Sequence, residues 1–278
     1  MNEISTWEEL LATEDGTEYL WTGGDLDFNE IQPTGFTSPV TINGSVDFNG
    51  AAFKNFRSMA SYAVFSSVNT NVFKQYLKNL TLQSAEHICS AGNGLFFNTL
   101  CDWFENIVVT GSIICDSSVS RYSLIKVYAG INTHARQRVD RFGCDLTVRA
   151  SCPFYMSNHS NSSDPSSSGA NTIPFYDSRI RLDLSHAGNN PFFHKMYNSK
   201  ISGKIHSTSS DATLPIEAYC SAFELEADRT IALTGSTNVV RSDMAEYAEN
   251  SSPIVRCDSP FSEHKADIAA SGFPYNGE

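Results

Sequence analysis

Short runs of alternating apolar and polar residues, bounded by Asn, Gly, Ser or Asp, recur along most of the chain. A period of two is the signature of a strand with one buried face, whereas an amphipathic helix needs a period of 3.6 sustained over a longer segment. The clearest run is Trp103-Phe-Glu-Asn106-Ile107-Val-Val109: aromatic, two spacers, Asn, apolar, any residue, apolar. Tyr76-Leu-Lys-Asn79-Leu80-Thr-Leu82 repeats it, and Phe142-Gly-Cys-Asp145-Leu146-Thr-Val148 repeats it with Asp for Asn. Tyr176-Asp-Ser-Arg179-Ile180 and Tyr197-Asn-Ser-Lys200-Ile201 keep the aromatic and the apolar anchor without the Asn. Ala52-Phe-Lys-Asn55-Phe56 and Phe223-Glu-Leu225 are looser copies.

Anchors Phe56, Leu80, Ile107, Leu146, Ile180, Ile201 and Leu225 lie 21 to 39 residues apart. Self-similarity at roughly this interval means stacked supersecondary units. Because the units read as strands, the expected architecture is all-β: a parallel β-solenoid whose inward apolar residues stack on their equivalents in the next turn. The Asn before the anchor fits a tight bend, since Asn tolerates the left-handed backbone better than branched residues do. Asn side chains stacked along the axis can also hydrogen-bond to one another. By the same logic Asp145 occupies the bend of its own turn.

The ends differ from the middle. Residues 4–12 read as a short amphipathic helix, capped by Ser5 or Thr6 with Glu8 or Glu9 three residues on. Ile4, Trp7, Leu10 and Leu11 share its apolar face, and Trp7 and Trp21 are expected in the core of a cap. Tyr19–Trp21 is expected as the first strand, followed by strands at 26–28, 40–42 and 46–48, with a turn at Asn43-Gly44. Segments 83–98 and 114–139 read as excursions from the bends, and 156–172 as a surface loop. Ser259-Pro260 opens a second helix that ends at Gly272. The boundaries that follow are 1–14 for the N-terminal capping helix, 15–240 for the solenoid and 241–278 for a C-terminal tail.

The opening order is a Trp-Glu-Glu-Leu helix, a strand, and then Val46-Asp-Phe-Asn-Gly50 leading to Phe53-Lys-Asn55. It resembles right-handed parallel β-helix proteins of the pectin-lyase-like superfamily, and among them the virion-associated β-helices of tailed phages and prophages of gut bacteria. That resemblance implies right-handedness, an N-terminal helical cap and frequent trimers.

Composition narrows the function. The 278 residues carry a net charge of −12, with 41% hydrophobic and only 18% charged residues. The core is therefore sizeable, and the only basic cluster, Arg136 to Arg141, is interrupted by Asp140. Neither nucleic acid nor an anionic membrane is an expected partner. No stretch approaches the roughly 18 apolar residues of a membrane span. The start of the chain lacks a secretory signal pattern. Seven Cys and seven His have no metal-ligand spacing, so no metal or cofactor is expected and the Cys read as reduced, buried packing residues.

Two charged sets are candidates for chemistry. Asp140 and Asp145 with Arg138 and Arg141 could serve acid/base or calcium-assisted cleavage of a polysaccharide. Asp177, Arg179, Arg181 and Asp183 alternate with Ile180 and Leu182, which places the charges on one outer strand face. Both also fit a solvated outer surface, and no catalytic residue is assigned. The expectation is a non-enzymatic structural or adhesive virion protein of a tailed phage. It would be made in the host cytoplasm, form a homo-oligomer, and bind a bacterial surface glycan or other virion proteins. The alternative is a polysaccharide lyase or glycosidase acting on such a glycan.

Overall fold

A computed structural model describes residues 1–59, 65–66, 75–89, 97–99, 103–115, 122–127, 138–151, 154–159, 173–186, 193–207, 213–219, 221–227, 230–236, 238–241 and 255–257. These residues are mostly strand, and every pairing among them is parallel. They form one 19-stranded sheet and one 5-stranded sheet. A parallel partner cannot be reached through a hairpin, so each strand pairs with one a full tier further along the chain. Equivalent residues lie 27 positions apart at Asn79 and Asn106, 36 apart at Phe142 and Ser178, and 21, 22 and 17 apart from Ser178 to Asn238.

Register explains the core. Leu77, Phe104, Val139, Phe175, Met196 and Ala218 stand opposite one another in successive tiers, all buried. Past the bend a second inward row runs Val109, Cys144, Ile180, Ile201, Phe223. Full burial of a large apolar side chain stabilises by about 1.5–3 kcal/mol, so each row is a continuous source of cohesion along the stack. Cys115 and Cys144 are buried, and burial pushes the Cys144 thiol up to about 12. It packs as a small hydrophobe.

The bend itself is left-handed. Asn79, Asn106, Arg141, Asp177 and Asn198 occupy it with φ between 49° and 59°. Asn106 Nδ2 donates to Asn79 Oδ1 at 2.9 Å, and Asn79 Nδ2 donates to Asp47 Oδ1 at 2.8 Å. Burial pushes the Asp47 carboxyl up, but the bonds from Asn79 and the Asn49 amide, together with Lys78, outweigh it and hold the group below its ordinary value. The expected stacking of Asn side chains is therefore present, with three corrections to the repeat.

First, the left-handed residue of the tier that carries Asp145 is Arg141, and Asp145 lies in the extended strand Gly143–Ala150. Second, Asn55 belongs to a different bend, because Lys54 pairs with Gln83 and not with a residue next to Asn79. Third, Leu146 stands opposite Gly111, and Ile180 opposite Cys144, so neither is the equivalent of Ile107. From Asp177 onward the bend is followed by Ser and not by the apolar anchor, and the motif slides by two residues.

At the N-terminal end a helix spans Trp7–Leu11. Thr6 caps it and Glu9 completes the capping box, accepting from the amides of Ser5 and Thr6 at 2.7 and 3.1 Å. A strand, Asn2–Ile4, precedes the helix and pairs with Tyr19–Trp21, so the latter is the second strand and not the first. Leu26–Asp27 is a strand that gives way to a helical turn at Phe28–Ile31. Asn43-Gly44 closes no hairpin, since Val40–Thr41 belongs to the smaller sheet and Ser45–Asp47 to the larger. Trp21 is buried, and Trp7 packs edge-on against Phe28 at 5.0 Å between ring centroids.

The excursions read at 83–98 and 114–139 are partly regular structure. Tyr76–Cys89 is one strand, and Phe97–Thr99 and Tyr122–Val127 belong to the smaller sheet. Phe154–His159 is a further strand of that sheet, at the start of the segment read as a surface loop. The remainder of that loop and the helix expected at 259–272 lie outside the described residues.

Candidate functional site

The outward side chains of the tiers between Trp103 and Glu226 form in-register polar rows. One runs Thr110, Asp145, Arg181, Ser202, Glu224; the next runs Ser112, Thr147, Asp183, Lys204, Glu226. Period-two alternation puts both rows on one side of the sheet. Ion pairs bridge adjacent tiers: Arg181 to Asp145 at 2.8 Å and Lys204 to Glu226 at 2.9 Å. Glu226 holds the Lys204 ammonium above its ordinary value. All four side chains are more than half exposed, so water screens each pair and it serves mainly to fix side-chain position.

Gly143 breaks the outer surface. It stands between Val108 and Arg179 in register and leaves a shallow depression of about 530 Å³. Arg141, Asp145, Asp177, Arg179 and Arg181 surround it. A second depression of about 310 Å³ continues along the same face, bordered by Asp183, Lys204, Glu224 and Glu226. Arg141 reaches back one tier to pair with Glu105. The two charged sets read separately in the sequence thus meet here: Arg141 and Asp145 from one, Asp177, Arg179 and Arg181 from the other.

Asp140 and Arg138 do not join them. Asp140 precedes the bend, is buried, and accepts from Trp103 Nε1 and an Arg138 guanidinium nitrogen, both at 2.6 Å. The bond to Asp140 holds Arg138 above its ordinary value, and its guanidinium lies 4.9 Å from the Tyr176 ring centroid. Asp140 is thus the anchor of a packed aromatic–ionic cluster. An acid for cleavage would need access to substrate, which this arrangement denies.

From Tyr176 the rings continue as a stack, Tyr176 on Tyr197 at 4.9 Å and Tyr197 on Tyr219 at 5.0 Å, with nearly parallel planes. Ring faces in such a stack meet one another, so the stack presents edges to a ligand. The triplets Tyr176-Asp-Ser178, Tyr197-Asn-Ser199 and Tyr219-Cys-Ser221 carried this signal in the sequence, at intervals of 21 and 22. Among the described residues no group of three His, Cys, Asp or Glu side chains could hold a metal ion, and no helix is long and apolar enough to cross a membrane. Comparison with protein-family models, curated proteins and solved structures finds no match to this chain.

Proposed function

We propose that the chain is a right-handed parallel β-helix, and that it works by binding through its outer face rather than by catalysis. Two parallel sheets, tier intervals of 17 to 36 residues and one shared apolar core support the coil. The observation that carries the function is the ruled polar face. Two acid–base pairs, Arg181 with Asp145 and Lys204 with Glu226, each bridge neighbouring tiers beside two open depressions, together spanning four tiers. Strands repeat at about 4.8 Å. An extended, hydroxyl-rich polymer laid along this face meets a regular series of donors and acceptors, and the ion pairs have already fixed the side chains that would receive it.

The ligand class proposed is a bacterial surface polysaccharide, with neighbouring copies or other particle proteins completing the assembly. The setting proposed is the virion of a tailed phage, in line with the β-helix resemblance of the opening segment, and the assembly is a homo-oligomer with a trimer favoured. The alternative, a lyase or glycosidase, places Asp145 or Asp177 in the larger depression as an acid.

The test is titration calorimetry against a panel of purified bacterial polysaccharides, with reducing ends and unsaturated products followed in the same samples. Retention without cleavage, weakened about tenfold by Arg181→Ala with Lys204→Ala, is the expected result. Product release abolished by Asp145→Asn would replace the reading with the enzymatic one. Light scattering on the same preparation gives the assembly, and a clean monomer would remove the oligomer from the proposal.

A further inference from the structure

Charge is distributed very unevenly along this chain. Residues 1–53 hold ten acids and not one Lys, Arg or His, whereas residues 54–278 hold 19 basic residues against 21 acids. Nearly the whole net charge of −12 therefore resides at the N-terminal end. Glu3, Glu8, Glu9, Glu14, Glu18, Asp25 and Glu30 are exposed there. Among the described residues only Asp25 and Asp47 of the ten meet a cation, Lys54 and Lys78 of the following tiers. Further along, acids stand beside bases, as in Arg57–Glu86, Arg141–Glu105, Arg181–Asp145 and Lys204–Glu226.

The same end carries an apolar groove of about 420 Å³, lined by Trp7, Leu11, Phe36, Pro39, Val40 and Thr41 and containing no charged side chain. Leu11 is 42% exposed at its rim, on the same helix as Glu8. Glu30 precedes Gln32, another lining residue. Trp7 forms the inner wall, held against Phe28 and Phe36 at 5.0 and 5.7 Å. Val40–Thr41 is the terminal strand of the smaller sheet, and Asn2–Ile4 pairs on the first tier of the larger, so the groove sits where the stack ends. An apolar slot in an acidic field selects its occupant by both properties at once.

We propose that this end of the molecule is a docking surface for a partner protein, which it recognises as a basic segment carrying apolar side chains into the Trp7–Leu11–Phe36 groove. Charge decides among the occupants. A second copy docked head to head would set ten acids against ten, and nucleic acid or an anionic membrane would meet the same repulsion. A basic segment gains both the field and the groove. This inference is independent of the polysaccharide reading, which concerns the lateral face.

The test uses the full chain and three fluorescent peptides: alternating Lys and Leu, Lys alone, and alternating Glu and Leu. Anisotropy is followed at low and at high salt. The Lys–Leu peptide is expected to bind most tightly and to weaken with salt. Leu11→Lys combined with Glu8→Lys, both at exposed positions, is expected to reduce that binding at least about tenfold without changing the melting temperature. Arg181→Ala on the lateral face is expected to leave it unchanged. Oligolysine binding as tightly as Lys–Leu would show charge acting without the groove and overturn the proposal. So would equal binding of the Glu–Leu peptide, or indifference to the double variant. A chain that self-associates in light scattering and becomes monomeric on Leu11→Lys would place a second copy in the groove, which also overturns it.

Discussion

The same left-handed bend is held in two different ways along the stack. At Asn79 and Asn106 the next residue is apolar and buried, Leu80 and Ile107, and the tiers are tied by amide side chains running along the outside. At Asp177 and Asn198 the next residue is Ser; the side-chain tie persists, with Asn198 Nδ2 donating to Asp177 Oδ1, and a second tie is added inside. The Ser178 amide donates to Ser199 Oγ at 3.1 Å, and the Ser199 amide donates to Ser221 Oγ at 3.1 Å. Each hydroxyl in turn donates to the carbonyl two residues back, Tyr176, Tyr197 or Tyr219, at 2.8–2.9 Å. Phe142 is the changeover: it is still an apolar residue after the bend, yet its amide already donates to Ser178 Oγ at 3.2 Å. At the far end the Ser221 amide donates to Asn238 Oδ1 at 3.0 Å. A bend turns an amide away from the regular ladder, and a buried amide has to find an acceptor. A short hydroxyl column supplies one inside the core, whereas the Asn column supplies its bonds at the surface and leaves the core apolar.

The difference predicts unequal sensitivity. Ser199→Ala removes the acceptor of the Ser178 amide, on a residue only 3% exposed. Chemical denaturation should show a loss of about 1–3 kcal/mol, the range for a buried donor left unsatisfied. This is the largest effect expected in the column. A loss below about half a kcal/mol would mean that the backbone reorganises freely at this bend, and the internal hydroxyl column would lose its structural role.

Asn106→Ala acts on the outer tie. It removes the 2.9 Å bond to Asn79 and puts a residue without a local hydrogen bond at a φ of 53°. The expected loss is about 1 kcal/mol, most of it backbone strain, because the side-chain amide is exposed and water replaces its partner. Asn106→Gly separates the two terms. It relieves the strain while the side-chain bond stays lost, so in the same denaturation assay it should fall closer to wild type than Ala does.

The first of these bends was legible in the sequence and the second was not. Asn79-Leu80 and Asn106-Ile107 display the bend residue and its inward neighbour side by side, and period-two alternation made both visible. The capping box at Thr6 and Glu9 was equally local. In the later tiers the inward position after the bend carries a buried hydroxyl, which periodicity reads as polar and therefore as outward. Periodicity accordingly aligns the repeat on Ile180 and Ile201, two residues late. Leu146 is four residues late for another reason: Arg141 stands where the earlier tiers carry Asn, so Phe142 reads as the leading aromatic and Asp145 as the bend. The polar face was half legible: alternation put Asp177, Arg179, Arg181 and Asp183 on one outer surface. The approach of Arg141 and Asp145 to them depends on a register between tiers 36 residues apart, which no local pattern encodes.

Arg141 is the position where the two kinds of bend meet, and it fits neither. It holds a φ of 50° where the tiers on either side use Asn106 and Asp177. A long side chain gains nothing there from a local hydrogen bond, and the left-handed backbone costs an ordinary residue about 1–2 kcal/mol. Its guanidinium pairs with Glu105 at a half-exposed site, worth at most about 1 kcal/mol. Arg141→Asn should therefore leave stability within about half a kcal/mol of wild type, or raise it slightly, since Asn106 Oδ1 can accept from an amide one tier on. That is the smallest stability change in the series, and polysaccharide binding gives it meaning. Arg141 borders the depression above Gly143. If the residue is kept for the face and not for the fold, Arg141→Asn weakens binding in calorimetry while its denaturation midpoint holds. A variant that binds as wild type but loses more than about 1 kcal/mol of stability would reverse that assignment and make the Glu105 pair the structural tie between the two halves of the column.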